Sequence, residues 1–146
     1  MPKIKFSFIN KTENKIPSAI SPKIKKNIFK LLNLIKYQKN IEINIFFVGK
    51  KEIQKLNKRY LNKNIPTDVL SFVSNIPVAA SKVLGDIVIC PNVAEENAKK
   101  SGQKFDKEII VLALHGALHL IGYNHKNNLQ KKKWAKIFKK FDNNIK

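Results

Sequence analysis

All three histidines of this 146-residue chain fall between positions 115 and 125, in His115-Gly116-Ala117-Leu118-His119-Leu120-Ile121-Gly122-Tyr123-Asn124-His125. On an α-helix, side chains four apart stand about 40° from each other around the axis and one turn up, so His115 and His119 converge on one ion. Gly122 follows where a helix ends in a left-handed residue, a conformation that costs glycine little, and the reversal swings His125 back towards the other two. Three neutral imidazoles leave a zinc ion its double positive charge and one open tetrahedral position, the arrangement of a catalytic site; a water there has its pKa lowered to about 7. Nickel or another divalent ion suits three imidazoles nearly as well. Two core histidines and one surface histidine would account for each residue singly. They would not account for three at ligand spacing around a turn-forming glycine.

The rest of the chain has to supply a rigid support for that helix. At 146 residues it is long enough for one core that buries roughly 70% of the unfolded surface, and positions 1–146 read as a single domain without repeats or low-complexity segments. Ile4, Phe6 and Phe8 alternate with polar residues as a first strand, and Ile41, Ile43, Ile45 and Phe47 form a second. Thr67 to Phe72 and Val83 to Cys90 read as a third and a fourth, with Ser74 to Lys82 between them as the one loop long enough to act as a lid. Ser21 and Pro22 open a first helix whose apolar stripe runs from Ile24 to Ile35; a short second one spans about Lys51 to Tyr60. Pro91 and Asn92 start a third, ending at Ser101-Gly102. Asp106 caps a fourth that is apolar nearly all round from Ile109 to Ile121, and a fifth runs from about Asn128 to Phe141 with Leu129, Trp134, Ile137, Phe138 and Phe141 inward.

The formal charge is +19, from 29 Lys and Arg against 10 Asp and Glu, which fits a polyanionic partner such as RNA. Arg59 is the sole arginine, however, and a binder selected residue by residue for phosphate uses the planar guanidinium more freely, so the charge gives only weak support to that partner. Cys90 stands alone, which excludes an intrachain disulfide, and between Ile89 and Pro91 it reads as a small buried apolar residue. The start of the sequence lacks a signal-peptide pattern and the longest apolar run, Ile109 to Leu114, is too short to span a bilayer, so the expectation is a soluble cytoplasmic protein.

The histidine spacing is shared with the long zinc motif of metzincin-type proteases. Those enzymes need a Glu directly after the first His as general base, where this chain has Gly116, and a methionine turn downstream, whereas Met1 is the only methionine. Both departures count against peptide hydrolysis.

The stretch from His115 to His125 closely resembles the signature of the bacterial YbeY family, metal-dependent endoribonucleases also called rRNA maturation factors. The resemblance continues in Leu56-Asn57 before Tyr60, in Pro66-Thr67-Asp68-Val69-Leu70-Ser71-Phe72 and in Gly85-Asp86-Ile87-Val88-Ile89-Cys90. It implies an α/β (α+β) fold with a small four-stranded mixed sheet and one zinc held by His115, His119 and His125. It further implies cleavage of single-stranded RNA, a role in maturing ribosomal RNA including the 3′ end of the small-subunit RNA, and ribosome quality control with ribosomal partners. A dipositive metal beside a basic cleft suits that chemistry, since it stabilises charge building on a phosphodiester oxygen.

Two positions depart from the family pattern. Asn124 stands where the family has Asp before the last His, keeping hydrogen-bonding capacity without charge or basicity. Leu61 stands where an Arg follows the aromatic residue; Arg59 lies two positions earlier, about 200° round a helix, and reads either as a phosphate contact reaching from a frayed helix end, as Lys63 also could, or as a solvated residue. Asp68 and Asp86, on strands along the implied cleft, read either as carboxylates orienting a ligand His or as structural hydrogen-bond partners. The same departures favour the alternative of a zinc-stabilised RNA-binding assembly factor that does not cut.

Overall fold

The computed structural model describes residues 3–74, 77–78, 81–123, 132–133 and 135–139, with the side chains of 77, 78, 81 and 82 left aside. Along the chain run β1 (Ile4–Asn10), α1 (Ile20–Leu34), β2 (Ile41–Phe47), α2 (Lys50–Leu61), β3 (Val69–Val73), β4 (Pro77–Val78), β5 (Ser81–Ile89), α3 (Pro91–Ser101) and α4 (Phe105–Leu120); residues 132–133 and 135–139 are also helical. The main strands form a mixed sheet in the order β1-β2-β5-β3, with β1, β2 and β5 parallel and β3 antiparallel to β5. The four expected strands and their mixed pairing are all present.

Strand β2 is interior, and its alternation decides which face is which. Ile41, Ile43, Ile45 and Phe47 are buried with Ile87 and Ile89 of β5 against α1 and α4, in the main core. The opposite face carries Val48, Leu70, Val88 and Cys90 under Ile53 of α2, a second and smaller core. Each fully buried aliphatic side chain contributes about 1.5–3 kcal/mol of transfer free energy, so the two cores together fix α1 and α4 on one side and α2 on the other. Cys90 lies in the smaller core, where burial pushes its thiol pKa up, against weaker lowering by the Val93 and Asn92 amides; it is an apolar packing residue and not a nucleophile.

Three local expectations shift. Helix α1 begins at Ile20, with Ala19 at the N-cap and no side-chain cap, so Ser21 and Pro22 lie inside the first turn; proline is tolerated there because its missing N–H would have had no partner. Asp106 likewise sits within the first turn of α4, behind Lys104 as N-cap, and its carboxylate takes a 3.1 Å ion pair from Lys23 of α1. Within the expected loop 74–82, Pro77 and Val78 form β4, which pairs with the start of β5, Pro77 opposite Lys82 and Val78 opposite Ser81. Among the described residues no helix is long and apolar enough to cross a membrane.

Two glycines set how closely α4 approaches the sheet. The β2–β5 register shifts so that Glu42 faces Val83 but Ile43 faces Gly85, a bulge at which Gly85 has φ +152°. A Cβ at Gly85 would lie 2.2 Å from the Phe72 carbonyl oxygen and 2.7 Å from Cδ2 of Leu120, so only glycine lets the end of α4 settle there. Gly85→Ala is expected to lose about 2–4 kcal/mol of stability through strained backbone and overpacking, measured by urea unfolding.

At the other end of α4, Glu108 is buried and accepts a hydrogen bond from the Gln103 amide. Burial raises its pKa above the ordinary glutamate value, the Gln103 bond lowers it and the charge of Asp68 raises it further, with the net shift upward. An acid whose folded pKa is raised contributes fully below the unfolded value of about 4.3 and loses that contribution as pH climbs through the folded value. Glu108→Gln keeps an acceptor for Gln103 without the charge. Its stability relative to wild type is expected to rise between pH 4 and pH 7, as followed by denaturant melts at each pH.

Candidate active site

The last turns of α4 carry His115 and His119, one turn apart on a helix buried along most of its length. His119 is exposed and His115 half-buried, so both imidazoles reach the surface from a packed support. The helix stops as the glycine spacing predicts: Ile121 is the C-cap, Gly122 has φ +103°, the Gly122 amide donates to the His119 carbonyl at 3.1 Å and the Tyr123 amide to the Leu118 carbonyl at 3.0 Å. These paired bonds define a Schellman turn, and Tyr123 packs back on the core as that motif requires. A Cβ at Gly122 would meet nothing within 4 Å, so the left-handed backbone, and not crowding, calls for glycine.

The chain thus reverses directly after His119. His125 and Asn124 lie outside the described residues, and among the described residues no three His, Cys, Asp or Glu side chains gather as a metal-binding group. The fit to a metal rests on the donors that are present. Two imidazoles stand at i and i+4, and His119 lies in the last helical turn, where the negative end of the helix dipole favours positive charge. His125, the one remaining histidine, lies beyond Tyr123 in sequence.

Several contacts that hold this helix end leave no mark in the residue pattern. The ring of Phe138 meets that of His115 in a T-shaped contact at 4.3 Å, although helical spacing marked Phe138 only as a core residue. Ser71 of β3 donates to the Gly116 carbonyl at 3.3 Å. Gly116 itself lies on the sheet: a Cβ there would be 2.7 Å from Cγ2 of Ile87. The position at which a zinc protease carries its general base is therefore a closest-approach point between helix and strand, with no room for a glutamate.

The two strand carboxylates part company. Asp68 precedes β3, where its carbonyl accepts from the Cys90 amide at 2.9 Å and its carboxylate from Asn97 of α3 at 3.3 Å. Asp86 accepts from the Asn44 amide at 3.0 Å and lies with Val88 on the α2 side of β5, whereas α4 packs on the Ile87 side. The sheet stands between Asp86 and the helix that bears the histidines. Arg59 occupies the last turn of α2, its guanidinium 5.3 Å from the centroid of the Tyr60 ring, and Tyr60 packs on Phe72 at 5.0 Å. Leu61, in the family's arginine position, is 54% exposed.

The contact at Gly116 makes a prediction about the seating of the site. Gly116→Ala is expected to cost about 1–3 kcal/mol by overpacking against Ile87. Truncating Ile87 in the same chain relieves the clash, so thermal melts of Gly116→Ala/Ile87→Ala should show a loss smaller than the sum of the two single variants.

Residues 7–145 match the family model described as Endoribonuclease YbeY. An Endoribonuclease YbeY of Staphylococcus saprophyticus is 44% identical over 115 residues, covering 72% of this chain and 75% of that one; one of Staphylococcus aureus is 40% identical over 119 residues, covering 73% and 77%. The solution structure of TM1509 from Thermotoga maritima superposes with a TM-score of 0.56 at 25% identity, covering 95% of this chain and 93% of that one. With the family model covering nearly the whole chain, the helix, turn and histidine pair described above are those of a member of the YbeY endoribonuclease family.

Proposed function

We propose that this chain is a zinc-dependent endoribonuclease that cleaves single-stranded RNA in the maturation of ribosomal RNA, with ribosomal particles as its partners and the cytoplasm as its place of work. The observation that carries the reading is the pair of imidazoles at the end of a packed, glycine-terminated α4, in a chain of this family. His115, His119 and His125 would hold the metal, which when bound supplies Lewis-acid stabilisation to a phosphoryl oxygen and a water of lowered pKa.

The remaining work falls to the chain itself. Helix α4 keeps two ligands in fixed relation, so little reorganisation accompanies metal binding or reaction. Phosphates are steadied by cations: Arg59 at the rim beside Tyr60, Lys63 just beyond the end of α2, and more widely by a groove of about 860 Å³ lined by Lys3, Lys5, Lys25, Lys26 and Lys30 at the β1 edge. Asn124 can position a neighbour by hydrogen bonding but takes no proton. Leu61, exposed and apolar in the arginine position, favours the second reading of an RNA-binding assembly factor that holds metal without cutting.

Turnover separates the two. On a labelled single-stranded RNA, wild-type protein is expected to cleave, and His119→Ala to lose at least about a hundredfold in rate together with its bound metal. A metal-loaded wild type that retains RNA without cutting it would favour the assembly factor, and a His119→Ala protein with full metal and activity would remove the site assignment.

A further inference from the structure

The second groove of interest lies on the face of the sheet away from α4. It is a cleft of about 300 Å³ between α2 and the strands, at the small end of the roughly 300–1,000 Å³ of ligand sites. The strand register lays out its floor. In one row Asn44, Asp86 and Phe72 stand side by side across β2, β5 and β3; in the next, Phe46, Val88 and Leu70 do. Tyr60 of α2 packs on Phe72 and is 54% exposed, while Lys11 lies 5.6 Å over the Phe46 ring and pairs with Glu52 at 3.7 Å. The result is a slot with aromatic rings on both sides, an aliphatic floor, the Lys11–Glu52 pair at the rim and the Asp86 carboxylate in the middle of the first row.

Asp86 gives the slot its direction. Asn44 donates one hydrogen bond to Oδ1, which fixes the carboxylate's orientation and leaves lone pairs on both oxygens to accept from whatever enters. In a chain of formal charge +19, an acidic group among aromatic rings is the wrong sign for phosphate and the right one for hydrogen-bond donors. Single-stranded RNA is recognised by stacking bases on aromatic side chains and reading their Watson–Crick edges. Of the four bases guanine alone presents two adjacent donors, N1–H and N2–H, on that edge, and two adjacent donors match the bidentate habit of a carboxylate.

The geometry points to a nucleobase pocket, selective for an unpaired guanine, formed by Tyr60, Phe72 and Phe46 around Asp86. It rests on RNA being the substrate class, and not on cleavage. Arg59, stacked beside Tyr60, is placed to meet the phosphate of the same nucleotide.

The test is calorimetric titration of the full chain with 5′-GMP, AMP, CMP and UMP at low salt. GMP is expected to bind at least about tenfold more tightly than the others, the discrimination of one good bidentate pair. Asp86→Asn, isosteric and still able to accept from Asn44, should abolish that preference while leaving UMP affinity unchanged; Tyr60→Ala should weaken all four. Equal affinities for the four nucleotides in wild type, or a guanine preference that survives Asp86→Asn, would overturn the assignment, as would an absence of nucleotide binding in a protein that cuts RNA. GMP bound selectively by a protein that does not cut would leave the pocket standing and remove the nuclease.

Discussion

The structure depends on how closely α4 can approach β5. At Gly116 the helix backbone comes so near Ile87 that a methyl group would overlap it, and at the Gly85 bulge the strand makes room for Leu120. Both contacts lie within one turn of a histidine. Interiors packed to crystal density transmit such displacements with little loss, so a helix lifted from the sheet carries its side chains with it. The hydrogen bond from Ser71 to the Gly116 carbonyl ties the same turn to the edge strand β3. Through these contacts the sheet sets the position of the candidate metal ligands, while the Schellman turn at Gly122 sets the direction in which the chain leaves them.

Much of this was legible in the sequence because it rests on periodicity and on residues with one dominant physical use. The alternation of β2, the continuous apolar character of α4 and the helix stop at Gly122 are such signals, and the structure places each where the pattern does. Caps were less legible, since Ser21 and Asp106 are good N-cap residues in isolation but lie one or two positions inside their helices. There tertiary contacts, the Lys23–Asp106 pair among them, decide the boundary. Strand β4, inside the stretch expected to be a loop, was missed for a related reason: a two-residue strand leaves almost no pattern to read.

Which face of the sheet a polar residue occupies was also hidden, because it depends on register. Asp86 and Ile87 are neighbours in sequence and face opposite layers, one towards α2 and the other against α4. The bulge at Gly85 adds a residue to β5 relative to β2, so counting along the strand from its start assigns the later residues to the wrong side. The family resemblance places the strand of Asp86 along the cleft of the histidines; the fold sets Asp86 on the opposite face of the sheet from α4.

That separation bears on the form of RNA the protein can take. With the histidines on the α4 side and the aromatic slot on the α2 side, a strand engaging both has to pass round an edge of the sheet. β3 is the edge beside α4; Val73 lies exposed on it, and Tyr60, packed on Phe72, is exposed beside it. A base can offer its Watson–Crick edge to Asp86 only when it is unpaired, and a single strand bends round such an edge far more readily than a stiff duplex. On the proposed reading, a preference for single strands would follow from this path, with no element needed to reject a double helix.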